Sequence, residues 1–149
     1  MDTIQYDKLI LTTILAAKRA GEAILDVYKS DLAVEQKDDK SPLTLADKRS
    51  NEIIENVLEQ TVTVNNSTVP ILSEEGKEIS YEDRKQWEHF WLVDPLDGTK
   101  EFVKRNGEFT VNIALIHKHK PVLGIIYIPG KDVFYFAAIN FGTYKLEGS

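Results

Sequence analysis

The chain of 149 residues contains no cysteine. This absence excludes disulfide bonds, thiolate zinc sites and a cysteine nucleophile, and it leaves the redox compartment open. The sequence also lacks a Gly-x-Ser-x-Gly element and a glycine-rich P-loop. A serine nucleophile on a strand-to-helix elbow and a Walker-type nucleotide site are therefore excluded.

Long apolar runs and an excess of basic charge are also missing. No run is long enough to span a membrane, so we expect no transmembrane segment. The start of the chain lacks the basic and solidly apolar features of an export signal, which favours a cytoplasmic location. The formal net charge is −6, so no nucleic acid polymer is expected as a partner. An acidic protein can still bind an anionic substrate if metal ions lie between its carboxylates and the phosphate.

What is present fits one globular domain, which we expect to span residues 1–149. Apolar residues spaced by three and four predict a first helix from Ile4 to about Tyr28. A second helix is predicted from near Thr44 to about Thr61, after a polar stretch that ends at Pro42. Thr44 and Asp47 resemble a capping box, which would give Asp47 a structural role at the start of this helix. The β-branched stretch from Thr61 to Val64 fits either the helix end or a strand.

The second half of the chain changes to the alternation that is typical of strands. The predicted strands are Pro70–Ser73, Phe90–Val93, Phe109–His117, Val122–Ile128, Val133–Ala138 and Thr143–Leu146. The polar stretch from Gly76 to Glu88 is predicted to be a surface loop. Helices followed by adjacent strands predict an α+β domain, with two N-terminal helices packed on an antiparallel sheet.

The motif Asp94-Pro95-Leu96-Asp97-Gly98-Thr99 is the densest candidate for chemistry. Two carboxylates lie three residues apart at a strand end, and the fixed backbone of the proline allows them to converge. The residues from Thr99 onward look like a first helical turn, whose N–H groups favour an anion. Magnesium prefers carboxylate oxygens and keeps phosphate oxygens as further ligands. A tight Asp-Gly turn with a helix cap is the alternative interpretation.

The pair Glu74-Glu75 follows another apolar strand, after Ser73. Adjacent acidic residues are usually just solvated. If the two strands are neighbours, however, Glu74 would face one pocket together with Asp94 and Asp97. By default Lys37 is a solvated loop lysine.

The three histidines give a weaker signal. His117 and His119 form an H-x-H pattern at a predicted hairpin tip with no third ligand nearby, so we predict structural or solvated roles. His89 lies beside Trp87 and Trp91 and is predicted to pack at a margin of the sheet.

Taken together, these motifs resemble those of a known superfamily. The order of Asp47, Ser73-Glu74-Glu75 and Asp94 to Thr99 is similar to that in the lithium-sensitive, magnesium-dependent phosphatases, which include inositol monophosphatases and 3′(2′),5′-bisphosphate nucleotidases. The stretches Lys40–Asp47 and Lys100–Asn112 resemble the bacterial CysQ group of bisphosphate nucleotidases. The resemblance implies the N-terminal domain of the inositol monophosphatase/sugar phosphatase fold. It also implies hydrolysis of a small phosphorylated nucleotide, with adenosine 3′,5′-bisphosphate giving AMP and phosphate.

The resemblance leaves two alternatives open. Inositol monophosphatases typically have Thr-Asn-Phe where this chain has Lys100-Glu101-Phe102, which argues against an inositol phosphate substrate. The family also has a second half with a Trp-Asp-x-x-Ala-Gly element, and neither Trp87 nor Trp91 is followed by Asp. We therefore expect the C-terminal substrate domain to be absent, so the chain could be an inert fragment that keeps the fold. An exposed partner-facing surface could favour a homo-oligomer.

The resemblance also implies a set of site residues. For two or three Mg²⁺ ions it implies four ligands, namely Glu74, Asp94, the Leu96 carbonyl and Asp97. Asp94 would bridge two ions. The resemblance gives Asp47 and the Thr99 hydroxyl the catalytic role of orienting the attacking water. It assigns phosphate and substrate binding to Gly98, Thr99 and Lys37.

Overall fold

A computed structural model describes residues 6–30, 42–60, 68–76, 78–104 and 106–148. Its helices are α1 Tyr6–Ser30, α2 Pro42–Leu58, α3 Tyr81–Arg84 and α4 Thr99–Lys104. Its strands are β1 Ile71–Ser73, β2 His89–Asp97, β3 Thr110–His117, β4 Lys120–Ile128, β5 Val133–Ala138 and β6 Gly142–Glu147. The predicted α+β class, with two helices ahead of a sheet, is confirmed. No helix in the described ranges is long and apolar enough to cross a membrane.

The two long helices pack against each other and against the sheet. α1 contacts β3, β4 and β5, while α2 contacts β1 and β2. Small residues on α1 allow a close approach, since a Cβ atom added to Gly21 would lie 2.4 Å from the ring of Tyr127. Between these layers lies a core of buried side chains that includes Ile24, Ile54 and Trp91. The apolar stripes of the two helices therefore determine where they lie on the sheet.

The sheet has six strands in sequence order, β1-β2-β3-β4-β5-β6, and all neighbours except one pair are antiparallel. The exception is the parallel pair β1 and β2, in which Ser73 lies opposite Val93. Parallel neighbours need a crossover connection. Here that connection includes α3, whose first turn is capped by the Ser80 hydroxyl, which accepts a hydrogen bond from the Asp83 N–H. The predicted surface loop thus contains a short helix, and the predicted sheet is mostly rather than wholly antiparallel.

The start of α2 differs from the prediction. The helix begins at Pro42, so Thr44 lies inside the first turn and the capping box of Thr44 and Asp47 is wrong. Proline is favoured at the first helical position because its missing N–H has no partner to lose there. The stretch Thr61–Val64 lies outside the described residues.

β2 also runs further than predicted. Instead of ending near Val93, it continues to Asp97, with a register shift between Asp94 and Asp97. Asp94 lies opposite Asn112, whereas Asp97 lies opposite Thr110, so β2 carries one extra residue there. Such a bulge bends the strand and redirects its side chains.

The sheet face away from the core carries an open groove of about 550 Å³. Leu92, Ile126 and Tyr135 line it and are exposed large apolar side chains. Glu74 and Asp94 stand at one end of the same groove. The open face of the sheet therefore leads directly to the acidic motif.

Candidate metal centre

Glu74 and Asp94 meet because β1 and β2 are parallel neighbours. The Glu74 N–H donates a hydrogen bond to the Val93 carbonyl at 3.3 Å, which extends the pairing one residue beyond β1. The Glu74 and Asp94 side chains lie within hydrogen-bonding distance of each other. The sequence argument required these two strands to be adjacent, and the structure brings their carboxyl ends together.

Asp47 approaches the same site from α2. Its carboxyl group lies within hydrogen-bonding distance of Glu75 and is close enough to Asp94 and Glu74 for their charges to act on it. Sequence reasoning gave Glu75 no role of its own, although it belongs to the same acidic pair as Glu74. We call Asp47, Glu74, Glu75, Asp94 and Asp97 the acidic cluster.

Two buried hydrogen bonds fasten α2 to the strands that carry the acidic cluster. The Ser50 hydroxyl donates to the Pro95 carbonyl at 2.7 Å, and Ser50 is fully buried. The Ser73 hydroxyl donates to the Asn51 side-chain carbonyl in a short hydrogen bond. The amide nitrogen of Asn51 in turn donates to Glu55 at 3.0 Å. Sequence reasoning missed Ser50 and Asn51, whose only signal is that polar residues stand three and four positions after Asp47.

Burial and like charge act together on two members of the acidic cluster. Burial is the largest cause that raises the pKa of Asp47 to about 7, followed by the neighbouring Glu75. For Asp94, burial followed by the charges of Glu74 and Asp97 raises the pKa to about 6, against a hydrogen bond from the Leu96 N–H. Among the described residues, every charged neighbour that contributes to these two pKa shifts is acidic. The cluster is therefore a region of concentrated negative charge.

Asn112 is a further member of this site that sequence reasoning did not single out. Its amide nitrogen donates to the Asp97 carboxylate at 3.1 Å. Its carbonyl oxygen is buried and has no hydrogen-bond partner among the residues that the structure describes, and the same holds for one carboxylate oxygen of Asp94 directly across the strands. Buried oxygens without donors are costly unless something compensates for their lost hydration.

The turn after the acidic motif needs a glycine. Gly98 has a φ of +91°, and a Cβ atom there would lie 2.9 Å from the carboxylate of Glu101. The Gly98 carbonyl accepts a hydrogen bond from the Phe102 N–H at 2.9 Å. Thr99 is exposed at the start of α4. The predicted helical turn is confirmed, and Lys37 lies outside the described residues.

The donor set fits a hard divalent cation. Carboxylate oxygens gather at this site, and two of its buried oxygens have no hydrogen-bond partner among the residues placed by the structure. Such oxygens are the ligands that Mg²⁺ or Ca²⁺ prefers. Within the described part of the chain, no three carboxylates of the cluster bring their ligand atoms within 4.8 Å of one another. The carboxylates of the acidic cluster are neighbours but are not close enough for three of them to share an ion, as expected for like charges that repel each other.

The histidines lie at the opposite end of β2 and β3. His89 is buried, and its ring stacks on that of His117 at 4.0 Å between centroids. Burial and the neighbouring His117 lower the pKa of His89. His119 is exposed, so the two histidines of the H-x-H pattern do not act as a unit. The two histidines that contact each other are His89 and His117, which lie opposite each other on β2 and β3.

Comparison with known proteins identifies the family. Residues 5–147 match the sequence model of the inositol monophosphatase family. The chain belongs to this family. A relative from Salmonella typhimurium, 3′(2′),5′-bisphosphate nucleotidase CysQ, is 51% identical over 124 residues, covering 82% of this chain and 48% of the relative. The CysQ of Haemophilus influenzae is 39% identical over 141 residues, covering 95% of this chain and 51% of that relative.

Solved structures of inositol monophosphatase family members agree with the fold. The structure of CysQ from Bacteroides thetaiotaomicron matches with a TM-score of 0.88 at 46% identity, covering 98% of this chain and 51% of that one. The suhB protein from Bartonella henselae matches with a TM-score of 0.73 at 30% identity, covering 93% of this chain and 51% of that one. The chain thus spans about half the length of the relatives it matches. The predicted family resemblance is confirmed.

Proposed function

We propose that this chain is the metal- and phosphate-binding half of a magnesium-dependent phosphatase that converts adenosine 3′,5′-bisphosphate to AMP and phosphate. The observation that carries the proposal is the meeting of Asp47, Glu74, Asp94 and Asp97 from α2, β1 and β2. The names of the relatives from Salmonella typhimurium and Haemophilus influenzae support the choice of a bisphosphate nucleotide. Because those relatives are about twice as long, the proposed turnover belongs to a full-length form.

The metal ligands in this proposal are the oxygens at the ends of β1 and β2. Glu74, Asp94 and the Leu96 carbonyl would hold one ion, and Asp94 and Asp97 would hold a second. The buried Asp94 oxygen supports a bridging role, because no residue in the described ranges donates a hydrogen bond to it. Bound magnesium would supply charge neutralisation at the phosphate oxygens and Lewis-acid activation of a water.

The remaining site residues would orient the attacking water and bind the phosphate. The Asp47 carboxylate and the Thr99 hydroxyl would accept and donate hydrogen bonds that hold the attacking water in line with the phosphorus. The Gly98 and Thr99 N–H groups would donate to the phosphate, together with the Lys37 ammonium. The pKa of Asp47 is about 7 among acidic neighbours, and a bound cation would lower this pKa and so favour the ionised carboxylate at neutral pH.

The proposal includes properties of the whole protein. It places the enzyme in the cytoplasm and in sulfur metabolism, and it expects inhibition by lithium. Self-association through the open sheet face is part of the same proposal, because Leu92, Ile126 and Tyr135 are exposed there. Analytical ultracentrifugation would detect such a dimer.

Phosphate release from adenosine 3′,5′-bisphosphate at millimolar Mg²⁺ tests the proposal. The full-length form, its Asp94→Asn variant and the matched Asp26→Asn variant are compared; Asp26 is an exposed aspartate on α1. We expect Asp94→Asn to abolish release and Asp26→Asn to retain it. Turnover retained by Asp94→Asn would refute the role of this carboxylate.

Two measurements on the 149-residue chain itself separate the catalytic proposal from the inert-fragment alternative. Isothermal titration calorimetry measures Mg²⁺ binding, and the same phosphate assay measures turnover. Mg²⁺ binding without turnover, in a folded chain, would indicate that catalysis needs both halves of the full-length enzyme. Turnover of inositol 1-phosphate in preference to the nucleotide would favour the monophosphatase alternative instead.

A further inference from the structure

A second group of metal-ligating side chains lies at the other end of β2 and β3. Glu88, His89 and His117 each offer one ligand atom, and these atoms all lie within 4.8 Å of one another. We propose that these three residues, which we call the histidine group, bind a Zn²⁺ ion independently of the acidic cluster. His89 and Asp94 are five residues apart on one strand, which corresponds to about 16 Å. One ion therefore cannot serve both places.

The strand register holds the two imidazoles side by side. His89 lies directly opposite His117 in the antiparallel pair of β2 and β3. Directly opposed residues have Cβ atoms about 5 Å apart and project from the same face of the sheet. The two rings are nearly parallel, with an angle of 2° between their planes. The backbone ladder thus brings both rings together before any metal binds.

The distances are close to those of a zinc site. The Glu88 carboxylate oxygen lies 3.5 Å from His117 Nε2 and 3.8 Å from His89 Nδ1. Ligand atoms about 2.0–2.1 Å from a tetrahedral Zn²⁺ are about 3.3 Å apart. The two distances from Glu88 are therefore within about half an ångström of this value, and the two imidazole nitrogens lie within 4.8 Å of each other. Glu88 is exposed and His117 is partly exposed, so both can move, and a rotation of the stacked rings would turn their lone pairs toward a shared ion.

Packing alone does not explain the buried histidine. His89 is only 8% exposed, and its Nε2 atom has no hydrogen-bond partner in the described part of the chain. An apolar side chain would fill this position without the cost of a buried, unsatisfied nitrogen. The position thus carries a cost that an apolar residue would not, and Nδ1, the ring atom that faces Glu88, is the atom that would bind the metal.

The ligand types select the metal. Two imidazole nitrogens and one carboxylate suit Zn²⁺, with a fourth position left for water. The acidic cluster offers only oxygens and suits a harder cation. The two sites are therefore expected to bind different ions from a mixture. Zinc binding would cross-link β2 to β3 at the end away from the acidic cluster.

Zinc titration of the intact chain in excess Mg²⁺, followed by calorimetry, tests the site. We expect one Zn²⁺ per chain, with affinity at least about tenfold weaker in His117→Ala because a direct ligand is removed. Glu88→Gln should also weaken binding, and it leaves the buried core untouched because Glu88 is exposed. His119→Ala is the matched control, since this exposed histidine lies on the same hairpin outside the histidine group.

The outcomes separate this site from the acidic cluster. Retention of Zn²⁺ binding by Asp94→Asn, together with its loss in Glu88→Gln and His117→Ala, would support the proposal. Unchanged affinity in both of those variants would overturn it, as would an equal loss in His119→Ala. Zinc binding that Asp94→Asn abolishes would also overturn it, by assigning the ion to the carboxylates. Failure here leaves the magnesium-dependent function untouched, because that function is tested separately by phosphate release.

Discussion

The Ser50 hydroxyl donates a hydrogen bond to the Pro95 carbonyl at 2.7 Å, in the bulge of β2 between Asp94 and Asp97. Ser50 lies one helical turn after Asp47, so this bond sets the position of α2 against the end of β2. The neighbouring bond from Ser73 to Asn51 does the same at the end of β1. These two hydrogen bonds position the acidic cluster without involving its own carboxylates.

Ser50→Ala should weaken magnesium binding as well as stability. The substitution leaves the buried Pro95 carbonyl without its donor, which costs about 1–3 kcal/mol of unfolding free energy. Loss of the link also frees Asp47 to move relative to Asp94, so we expect weaker Mg²⁺ binding in calorimetry. Thr13→Val is the control, because Thr13 is a fully buried residue whose hydroxyl bonds only within α1, to the Leu9 carbonyl. If both variants bind Mg²⁺ equally well, Ser50 has no positioning role.

Stability should fall with rising pH when divalent cations are removed. The folded chain keeps protons on Asp47 and Asp94 up to pH values of about 7 and about 6, whereas their ordinary pKa value is 3.8. The unfolded chain releases these protons first, so this contribution is full below about pH 4 and is lost as pH rises to about 7. Thermal unfolding in EDTA from pH 4 to pH 8 measures it.

Magnesium should reverse this pH trend. A cation binds the ionised carboxylates of the folded chain, so the gain in melting temperature from Mg²⁺ should be larger at pH 8 than at pH 5. Asp94→Asn should reduce both the loss of stability in EDTA and the gain with Mg²⁺. A gain that is the same at both pH values would contradict binding at the acidic cluster.

Asn112→Ala should weaken magnesium binding through Asp97. The Asn112 amide holds the Asp97 carboxylate at 3.1 Å, and loss of such an orienting partner typically costs about 10–100-fold in metal affinity. Asn56→Ala, on the exposed side of α2, should leave affinity unchanged. Equal affinities for the two variants would show that Asp97 is held by the backbone alone.

Gly98→Ala should destabilise the chain more than alanine at Gly107 or Gly124. At Gly98 a positive φ and a close contact with Glu101 act together, so we expect a loss of about 1–3 kcal/mol in urea unfolding. Gly107→Ala adds only the positive φ, because nothing lies within 4 Å of a Cβ atom there. Gly124→Ala adds neither cost. If the losses of unfolding free energy do not decrease from Gly98 through Gly107 to Gly124, crowding at Gly98 does not limit the residue there.

Local patterns predicted most of the fold. The apolar stripe of α1, the alternation in β3 and β4, and the carboxylates at strand ends were all readable from spacing. The boundaries failed where a single residue decided the outcome, as at Pro42, which starts α2 earlier than Thr44 would. The parallel pairing of β1 was not predicted, because the polar connection to β2 carried no helical pattern strong enough to mark α3.

The supporting residues of the site could not be predicted in the same way. Asn112 faces Asp94, and His117 faces His89, only because β2 and β3 pair in one particular register. A shift of one residue would turn every one of these side chains to the opposite face. Register depends on contacts across the sheet, so a pattern along one strand does not contain it.

β1 is only three residues long and forms one border of the sheet. Short border strands open at a smaller free-energy cost than central ones. Since Glu74 follows β1 directly, each such opening carries this carboxylate away while β2 and β3 stay paired. A cation that joins Glu74 to Asp94 would therefore hold this border strand in place. It would slow amide hydrogen exchange at Leu72 and Glu74, whose N–H groups face β2, while exchange in the central strands stays the same.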